Sequence, residues 1–401
     1  MVQTLFGEKG ITVKYNLQNN LQNKVKIWLL TLSGFGMFGM GSAYAIEAPT
    51  LDNSAYILMD YDTGTVLAQK NADQPFPPAS LTKMMTSYII EQQLLSGKLQ
   101  EDQPVLMTTD AWCRGRNTES CMYVDVNTTA TVLDMLKGII IQSGNDSAKA
   151  MAQHISGSEQ AFADLMNSEA KKLGMTNTHF VNSTGMPANG HQASPQDLAK
   201  LAKAIIKDSG KYYPIYSQKE FTYNNIKQAN RNSLLFTDST VDGLKTGHTK
   251  EAGFCLVASS KRGDMRLISV IMGTKSEKAR AEQSKELLNW GFGHFNTKVV
   301  APMGQNFGSV AIKYGQADDV AVKTGANLQV LLEKVNQDNI QTVVNLPKNI
   351  QAPIAQGQQV GEVVALLHGK AVASAPLIAE TAVEKSGILK RIWQYILGLF
   401  D

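Results

Sequence analysis

The segment PPASLTKMMTSYII, residues 77–90, limits the possible folds more than any other part of the sequence. As a helix, it carries apolar side chains on two opposite faces, and such a helix is normally buried. The apolar positions are Leu81, Met84, Met85, Tyr88 and Ile89 on one face and Ile90 and Leu94 on the other. A polar line, Ser80, Lys83 and Ser87, nevertheless runs along it. Because lysine is rarely buried without a partner, we expect this lysine to have a function.

Ser80 and Lys83 have the spacing and the side chains that nucleophilic catalysis requires. Residues three apart on a helix share one face, with Cβ atoms about 5–6 Å apart. A serine hydroxyl becomes a good nucleophile only when a base takes its proton, and a lysine amine is such a base when burial lowers its pKa. Pro77 and Pro78 mark the helix entry. They place Ser80 in or near the first turn, where the backbone dipole favours negative charge.

The S-x-x-K spacing becomes informative through the motifs that accompany it. Residues 168–171 repeat it on a helix surface that faces away from the apolar side, and the K-T-G of residues 245–247 recurs at residues 323–325 in a β-rich region. Ser143-Gly144-Asn145 is the only S-x-N in the sequence. It falls between two predicted helices, where Asn145 or Asp146 can cap the second. S-x-x-K, S-x-N and K-T-G therefore begin, in order, at positions 80, 143 and 245.

The hydrophobic pattern divides the chain into two folded regions. Residues 51–70 predict two short strands joined by a turn, a helix-rich stretch extends to about residue 209, and three strands and a helix follow from residue 241. Strands on both sides of a helical middle predict one α/β domain, over residues 46–297, with an antiparallel sheet and a helical subdomain. Short alternating runs then predict a small all-β domain over residues 298–384.

The N-terminal segment has the features of an export signal. Lys24 and Lys26 precede the apolar run IWLLTLSGFGMFGM, and Ala43-Tyr44-Ala45 is a suitable cleavage site. Residues 1–45 are therefore predicted to be a signal peptide. The alternative is a permanent membrane-spanning helix, which fits the short, glycine-rich run less well.

The C-terminal segment, residues 385–401, predicts an amphipathic helix that is apolar over most of its circumference. At about 1.5 Å per residue it is too short to span a bilayer, so we expect residues 387–401 to lie in the membrane surface. The alternative is a helix docked on its own domain.

The cysteines, the histidines and the net charge limit which other functions the protein can have. Cys113 and Cys121 flank the polar loop CRGRNTESC. In an oxidising compartment they can pair, restricting the unfolded chain by about 2.5 kcal/mol, although the sequence leaves the pairing open. Cys255 is predicted to be a buried thiol.

The six histidines lack the spacings of metal sites, so no metal and no cofactor is predicted. A net charge of +3 without a basic cluster predicts no nucleic-acid partner.

The three motifs together resemble the penicillin-binding protein and serine β-lactamase superfamily. Longer stretches look like the low-molecular-mass D-alanyl-D-alanine carboxypeptidases, peptidase family S11. They are PASLTKMMTSYII, GIIIQSGNDSAKAMA, NRNSLL, VDGLKTGHT and AGFCLVASSKRGDMRLISVIMG. The resemblance extends from about residue 50 to the C-terminus. It implies an α/β transpeptidase-like domain, an all-β domain and a terminal anchor, on the periplasmic face of the inner (cytoplasmic) membrane.

The resemblance implies catalytic roles for the first two motifs. Ser80 would be the acylated nucleophile and Lys83 its general base. Ser143 would relay a proton to the leaving amine. Asn145 would orient Lys83 and the substrate peptide.

The resemblance also implies the groups that bind substrate, around the K-T-G motif at Lys245, Thr246 and Gly247. The lysine would bind the substrate's terminal carboxylate and tune Ser143, and the threonine would contact the same carboxylate. The backbone N–H groups of Ser80 and His248 would form the oxyanion hole, worth about 3–4 kcal/mol per donor.

For three further residues the resemblance implies less specific roles. Arg280 looks like the basic residue that the family keeps near the site. Arg231 in NRNSLL is either a second one or a partner in a structural salt bridge. His191 lies in the stretch NSTGMPANGHQAS, below the site, and we expect a surface histidine rather than a group that helps deacylation.

The implied reaction is the removal of the terminal D-alanine from a peptidoglycan stem pentapeptide that ends in D-Ala-D-Ala, through an acyl-serine. β-Lactam antibiotics would acylate the same serine. A β-lactamase is disfavoured because no E-x-x-L-N run follows the S-x-N motif. A D,D-endopeptidase with the same machinery stays open. A membrane-tethered scaffold that binds the cell wall is the non-enzymatic alternative, and the intact motifs argue against it.

Overall fold

The computed structural model describes residues 6–7, 11–15, 46–113, 119–335 and 340–397. The chain separates into two compact units, residues 48–294 and a second unit formed by the N-terminal residues with residues 295–401. The hydrophobic run and the cleavage site of the predicted signal peptide lie outside the described residues.

The first unit is built on a five-stranded antiparallel sheet. Its strands are β1 (Ala55–Asp60), β2 (Val66–Lys70), β7 (Val241–Thr249), β8 (Gly253–Arg262) and β9 (Met265–Thr274), in the order β2-β1-β9-β8-β7. Strands from the beginning and from the end of this unit's sequence thus pair in one sheet. The prediction of an antiparallel sheet is confirmed. β7 is an edge strand, so one side of its backbone faces away from the sheet.

Seven described α-helices accompany this sheet: six form the helical subdomain between its second and third strands along the chain, and the seventh follows its last strand. They are α1 (Lys83–Leu95), α2 (Val132–Lys137), α3 (Asn145–Ser156), α4 (Glu159–Lys172), α5 (Pro195–Asp208), α6 (Leu234–Thr237) and α7 (Glu277–His294). α1 is buried on nearly all sides, as its two apolar faces predict. Ser158 and Ser194 cap α4 and α5 by accepting backbone N–H bonds.

Two short antiparallel strand pairs, which the sequence pattern does not predict, complete this unit. They are β3 (Pro104–Leu106) with β4 (Thr129–Thr131), and β5 (Glu220–Tyr223) with β6 (Ile226–Ala229). Strands of three or four residues are too short for alternation to show clearly against the helices that surround them.

Among the described residues, the second unit is all-β apart from its last helix. Its strands are β10 (Phe295–Ala301), β11 (Asn306–Lys313), β12 (Asp319–Thr324), β13 (Leu328–Glu333), β14 (Ile340–Asn345), β15 (Asn349–Gln351), β16 (Gln359–Leu367) and β17 (Lys370–Ala379). β10 pairs with β13, and the others form a second sheet that the short strands Phe6–Gly7 and Ile11–Tyr15 extend beyond β14. Alternating buried positions supply its core.

A helix, α8 (Ile388–Leu397), follows the β-strands. Ile388, Leu389, Ile392 and Trp393 are all exposed on it, while Lys390 forms an ion pair with Asp318 at 3.0 Å. In the described part of the chain no helix is long and apolar enough to cross a membrane.

Candidate active site

Ser80 lies at the entrance of α1, in a single 3-10 turn formed by residues 79–82. Ala79, just before it, has a φ of +48°, a conformation that costs a residue with a side chain about 1 kcal/mol or more. The α-helix proper begins three residues after Ser80, at Lys83. The serine therefore stands on a tight turn that presents its hydroxyl at the end of a buried helix.

Lys83 is completely buried, and its Nζ lies among three oxygen atoms. It is 3.0 Å from Ser80 Oγ, 2.6 Å from Asn145 Oδ1 and 2.7 Å from the Thr184 carbonyl oxygen. The last two are acceptors only, so they orient the amine by taking its protons. Ser80 Oγ is the remaining neighbour, and it can donate its proton to the amine when the amine is neutral.

The pKa of Lys83 is lowered to about 7, and burial is the largest cause. The positive charges of Arg231 and Lys149 lower it further, whereas Asp146 and Glu119 raise it. At neutral pH a substantial fraction of this amine is uncharged. An uncharged amine within hydrogen-bond distance of a serine hydroxyl can act as its base.

Ser143 and Lys245 form a second serine–lysine pair beside the first. Ser143 follows a π-helical turn with a left-handed φ of +61°, and Lys245 Nζ lies 2.9 Å from its Oγ and 3.1 Å from the Thr246 carbonyl oxygen. Burial lowers the pKa of Lys245 well below its usual value, and the charge of Lys83 adds to this shift. An incoming carboxylate would relieve this repulsion, so the pair suits an anionic ligand.

Asn145 begins α3, and its side chain faces the site rather than capping the helix. Its Oδ1 accepts from Lys83, and its Nδ2 donates to Glu119 Oε2 at 2.9 Å. The cap position is Gly144, which has no capping side chain, and the Asp146 carboxylate instead accepts the N–H groups of Met122 and Tyr123. Neither predicted residue occupies the N-cap position, so that part of the prediction is wrong. The Asp146 carboxylate nevertheless accepts the Ser147 N–H of the first turn at 2.9 Å, as a capping group does.

Gly247 allows the edge strand β7 to approach the Ser80 turn. A Cβ atom at this position would lie 3.0 Å from the Pro78 carbonyl oxygen and 3.2 Å from Leu81 Cγ, closer than packing normally permits. Thr246 beside it is buried, and His248 is exposed with its ring stacked on Phe254. The K-T-G motif thus supplies one cation, one buried threonine and one close backbone contact.

Arg280 reaches this strand from α7, where it is buried. Its Nη1 donates to the Gly247 carbonyl oxygen and its Nη2 to the Arg231 carbonyl oxygen, each at 3.4 Å, and its guanidinium lies over the Phe254 ring. Arg231 itself is exposed and donates from Nε to the Gln142 carbonyl oxygen at 3.1 Å. The structure thus brings both arginines to the region of β7.

His191 is buried, so the expectation of a surface histidine is wrong. Its Nε2 lies 2.7 Å from Thr82 Oγ1, and its Nδ1 accepts the Val181 N–H at 2.9 Å. Burial lowers its pKa to about 4. The ring therefore links the 3-10 turn to the loop that carries Thr184, and sequence pattern alone gave no sign of these contacts.

A cavity of about 330 Å³ opens beside the Ser80 turn. It is lined by Pro77, Pro78, Ala79, residues 185–189, His191, Thr249 and Glu251. Its walls are mostly apolar, with the Glu251 carboxylate among them, and none of Ser80, Lys83, Ser143 and Lys245 lines it.

Cys113 and Cys121 form a disulfide with their Cα atoms 6.2 Å apart, and Cys255 is a buried free thiol as predicted. The two bonded sulfur atoms and the Glu119 carboxylate are the one cluster of metal-ligand type among the described residues. Sulfur atoms in a disulfide are not thiolates, so this cluster does not offer the thiolate ligands that zinc prefers.

A buried lysine against a serine, a second serine–lysine pair, and an antiparallel sheet flanked by a helical region define a serine acyl-transfer enzyme of the penicillin-binding type. Residues 42–276 match the D-alanyl-D-alanine carboxypeptidase family, peptidase S11, and residues 295–385 match the C-terminal domain of penicillin-binding protein 5. The chain belongs to the D-alanyl-D-alanine carboxypeptidase family. It is a serine-type D-Ala-D-Ala carboxypeptidase and a penicillin-binding protein, as the sequence predicts.

Relatives of known name cover almost the whole chain. The D-alanyl-D-alanine carboxypeptidase DacC of Escherichia coli is 40% identical over 91% of this chain and 93% of its own length. DacA of Haemophilus influenzae is also 40% identical, over 93% of this chain and 96% of its own length.

Two solved structures of named penicillin-binding proteins are similar. The structure of penicillin-binding protein 5 from Haemophilus influenzae superimposes with a TM-score of 0.74 at 40% identity, covering 85% of this chain and 100% of that one. Penicillin-binding protein D2 from Listeria monocytogenes, in an ampicillin-bound form, gives a TM-score of 0.55 at 28% identity over 60% of this chain and 98% of that one.

Proposed function

We propose that this carboxypeptidase works through an acyl-enzyme on Ser80, with Lys83 as the general base. The observation that carries the proposal is the burial of the Lys83 amine 3.0 Å from Ser80 Oγ, with a pKa lowered to about 7. A charged surface lysine would hold its proton and could not accept one from serine. Asn145 and the Thr184 carbonyl keep the amine in place.

The reaction begins when Ser80 Oγ attacks the carbonyl carbon between the last two D-alanine residues, while its proton moves to Lys83 Nζ. The oxyanion that forms is stabilised by the backbone N–H groups of Ser80 and His248. Ser143 then gives its proton to the leaving amine and receives the proton that Lys83 took from Ser80, so both side chains return to their starting state. The Ser143 hydroxyl lies 2.9 Å from Lys245 Nζ. The terminal D-alanine departs, and a water molecule hydrolyses the acyl-Ser80 ester in the second step.

Lys245 and Thr246 bind the terminal carboxylate of the substrate. A carboxylate raises the pKa of the buried Lys245 amine beside it and so favours its charged form, and the attraction is stronger than in water because the surroundings have a low dielectric constant. Gly247 keeps this strand close to the serine, and Arg280 supports the same strand through its bond to the Gly247 carbonyl oxygen. The substrate is thus a stem pentapeptide of peptidoglycan, which ends in a free D-alanine carboxylate.

β-Lactam antibiotics acylate the same serine. Their fused amide and carboxylate occupy the positions of the D-Ala-D-Ala amide and terminus, and the departing amine stays attached. The related penicillin-binding protein D2 from Listeria monocytogenes, solved in an ampicillin-bound form, supports this part of the proposal.

The enzyme is exported and acts on the periplasmic face of the cytoplasmic membrane. Residues 1–45 are the export signal, residues 46–297 the peptidase domain and residues 298–384 the all-β domain. Residues 385–401 form the anchor, and the exposure of Leu389 at 85% and of Trp393 at 62% supports it. Apolar side chains that are exposed together on one short helix gain free energy when they enter a membrane interface.

The test compares Ser80→Ala with Ser168→Ala in the full-length protein. Ser168 and Lys171 repeat the S-x-x-K spacing, but both are exposed on α4. We expect labelling by a fluorescent penicillin and D-alanine release from a D-Ala-D-Ala pentapeptide to vanish in Ser80→Ala and to persist in Ser168→Ala. Labelling of Ser80→Ala, or a labelled tryptic peptide that lacks residue 80, would contradict the proposal.

The same preparation separates the neighbouring activities. Wild-type protein receives the pentapeptide, a cross-linked peptide dimer and a chromogenic cephalosporin. Release of D-alanine from the pentapeptide is the expected main activity. Rapid turnover of the cephalosporin alone would identify a β-lactamase, and cleavage of the dimer in place of the pentapeptide would identify an endopeptidase.

A further inference from the structure

We propose that Glu119 is a positioning residue of this active site. Its carboxylate holds the Asn145 amide in the orientation that serves Lys83, and the Cys113–Cys121 disulfide holds that carboxylate in place. This inference rests on the proposed function, because it assigns Glu119 a role through the Lys83 base.

The contact between Glu119 and Asn145 defines which end of the amide faces the lysine. Glu119 Oε2 accepts a hydrogen bond from Asn145 Nδ2 at 2.9 Å, and Asn145 Oδ1 accepts from Lys83 Nζ at 2.6 Å. A carboxylate is an acceptor only, so it pairs with the NH2 end of an amide and not with the oxygen end. With Glu119 present, a rotated amide would lose both bonds at once.

The segment that carries Glu119 is tied to the start of α3 by its backbone. The Asn145 N–H donates to the Ser120 carbonyl oxygen at 2.7 Å, and the Asp146 carboxylate accepts the Met122 and Tyr123 N–H groups. These bonds hold residues 120–123 on the helix. Glu119 lies at the end of this tied segment, so its own position needs a further restraint.

The disulfide supplies that restraint from the other direction. It joins Cys121 to Cys113, and its two sulfur atoms lie within 4.8 Å of the Glu119 carboxylate. Both cysteines are buried. Reduction by a dithiol would transfer two electrons and two protons to the disulfide and give two thiols, while the dithiol closes to its own disulfide. The segment bearing Glu119 would then lose its disulfide link to Cys113 and be joined to it through the main chain alone.

Glu119 also acts on Lys83 through its charge. The titratable groups that influence this lysine are Arg231 and Lys149, which lower its pKa, and Asp146 and Glu119, which raise it. Lys245 and His191 are also influenced by its charge. Removing the Glu119 carboxylate therefore lowers the pKa of Lys83, so the uncharged base persists to lower pH. A residue that only maintains the fold would not move this titration.

The experiment measures the second-order rate constant of acylation by a fluorescent penicillin from pH 5 to pH 9 in the full-length protein. We expect Glu119→Ala to lower the plateau rate about tenfold or more, because the amide loses a charged partner. Glu119→Gln keeps an acceptor oxygen, so it should retain at least a third of the plateau rate. Both variants should show the acidic limb at lower pH. Asp125→Asn, on a nearby exposed carboxylate that contacts Asn224, should match the wild type.

The role of the disulfide is tested by the double variant Cys113→Ser and Cys121→Ser. We expect it to lower the plateau rate at least threefold in the wild type and to have no further effect in Glu119→Ala, because both changes act through one contact. Wild-type protein treated with dithiothreitol and a chelator should behave as the double variant does. An unchanged rate in the serine variant overturns the part played by the disulfide.

A plateau rate of Glu119→Ala within threefold of the wild type, or an acidic limb that does not move in either Glu119 variant, overturns the role of Glu119. If Glu119→Ala does not fold, the pH profile of Glu119→Gln tests the role of Glu119 instead, because its acidic limb should still move to lower pH. Failure of the proposed function is a different result, namely labelling that survives Ser80→Ala.

Discussion

Lys83 Nζ and Asn145 Oδ1 lie 2.6 Å apart in the interior of the protein, where the lysine has no exposed surface. An amide oxygen stabilises an ammonium group, whereas burial destabilises it more strongly, and the pKa of Lys83 falls to about 7 as a result. The pair therefore holds an amine that changes charge near neutral pH next to Ser80. The pH dependence of acylation follows from this balance.

Acylation by penicillin should lose activity below about pH 7. Below the pKa the Lys83 amine is protonated and cannot accept the proton of Ser80, so the rate should fall about tenfold per pH unit on the acidic side. Stopped-flow labelling between pH 5 and pH 9 measures this limb. A rate that still rises about tenfold per pH unit up to pH 9, as it would for a base with the ordinary lysine pKa of about 10.4, would contradict Lys83 as a base with a lowered pKa.

Lys83→Arg should reduce acylation by at least about 1,000-fold. A guanidinium keeps its proton at any pH at which the protein is folded, so it cannot act as a base, although it preserves the positive charge. Lys171→Arg, on the exposed S-x-x-K of α4, is the matched control and should leave the rate unchanged. Thermal unfolding of both variants checks that the loss is chemical and not a loss of fold.

Lys245 should discriminate in favour of substrates with a free terminal carboxylate. Wild-type enzyme should prefer a D-Ala-D-Ala peptide over its C-terminal amide by about 100-fold in kcat/KM, because the amide leaves Lys245 without its anionic partner. Lys245→Met should reduce this preference to about tenfold or less, mainly by lowering the rate with the free acid. An undiminished preference would place the carboxylate contact elsewhere.

The main elements of the fold were predictable because the hydrophobic pattern of each one is clear in the sequence. The double apolar face of α1 predicted its burial, and the strand-like runs of β7, β8 and β9, which are buried over most of their length, predicted the sheet. The short strand pairs within residues 104–131 and 220–229 were not predictable, since their strands are too short to alternate.

The candidate site was only partly predictable. The motifs pointed to Ser80, Lys83, Ser143 and Lys245, whose side chains form two contacting pairs. Glu119 and the Thr184 carbonyl have no motif, because their contacts depend on how two loops fold back toward the lysine. His191 appeared to be a loop residue, and only tertiary packing shows that it is buried.

Ser87 is another residue whose contacts the sequence pattern did not predict. It belongs to the polar line of α1, but its hydroxyl contacts Tyr216 Oη at 2.8 Å rather than the site. Tyr216 in turn donates to Glu91 Oε1 at 2.9 Å, and Ser209 donates to the other carboxyl oxygen. Glu91 is fully buried, and burial raises its pKa to about 8. The two donated hydrogen bonds favour the carboxylate and lower its pKa, but burial outweighs them and favours the protonated acid. The consequence is a pH-dependent stability.

The wild-type protein should become less stable as the pH rises from about 5 to 8. In this range the unfolded state releases the proton of Glu91, whose ordinary pKa is 4.5, whereas the folded state retains it. The free energy of unfolding should therefore fall by up to about 1.4 kcal/mol per pH unit from this group. Glu91→Gln, measured by urea unfolding at both pH values, should remove most of this slope, and Glu282→Gln on an exposed carboxylate should not. Equal slopes in all three proteins would contradict a protonated Glu91.

Membrane binding should depend on α8. Its exposed apolar residues, Ile388, Leu389, Ile392 and Trp393, gain free energy by leaving water, and full burial of one such side chain is worth about 1.5–3 kcal/mol. Deleting residues 387–401 should therefore abolish co-sedimentation with anionic phospholipid vesicles, and Leu389→Asp with Trp393→Asp should weaken it at least tenfold. Asp318→Asn, which breaks only the ion pair of Lys390 with the β-domain, is the control and should bind as the wild type does. Binding that survives the deletion would mean that another surface holds the enzyme at the membrane, and the exposed helix would then need a different explanation.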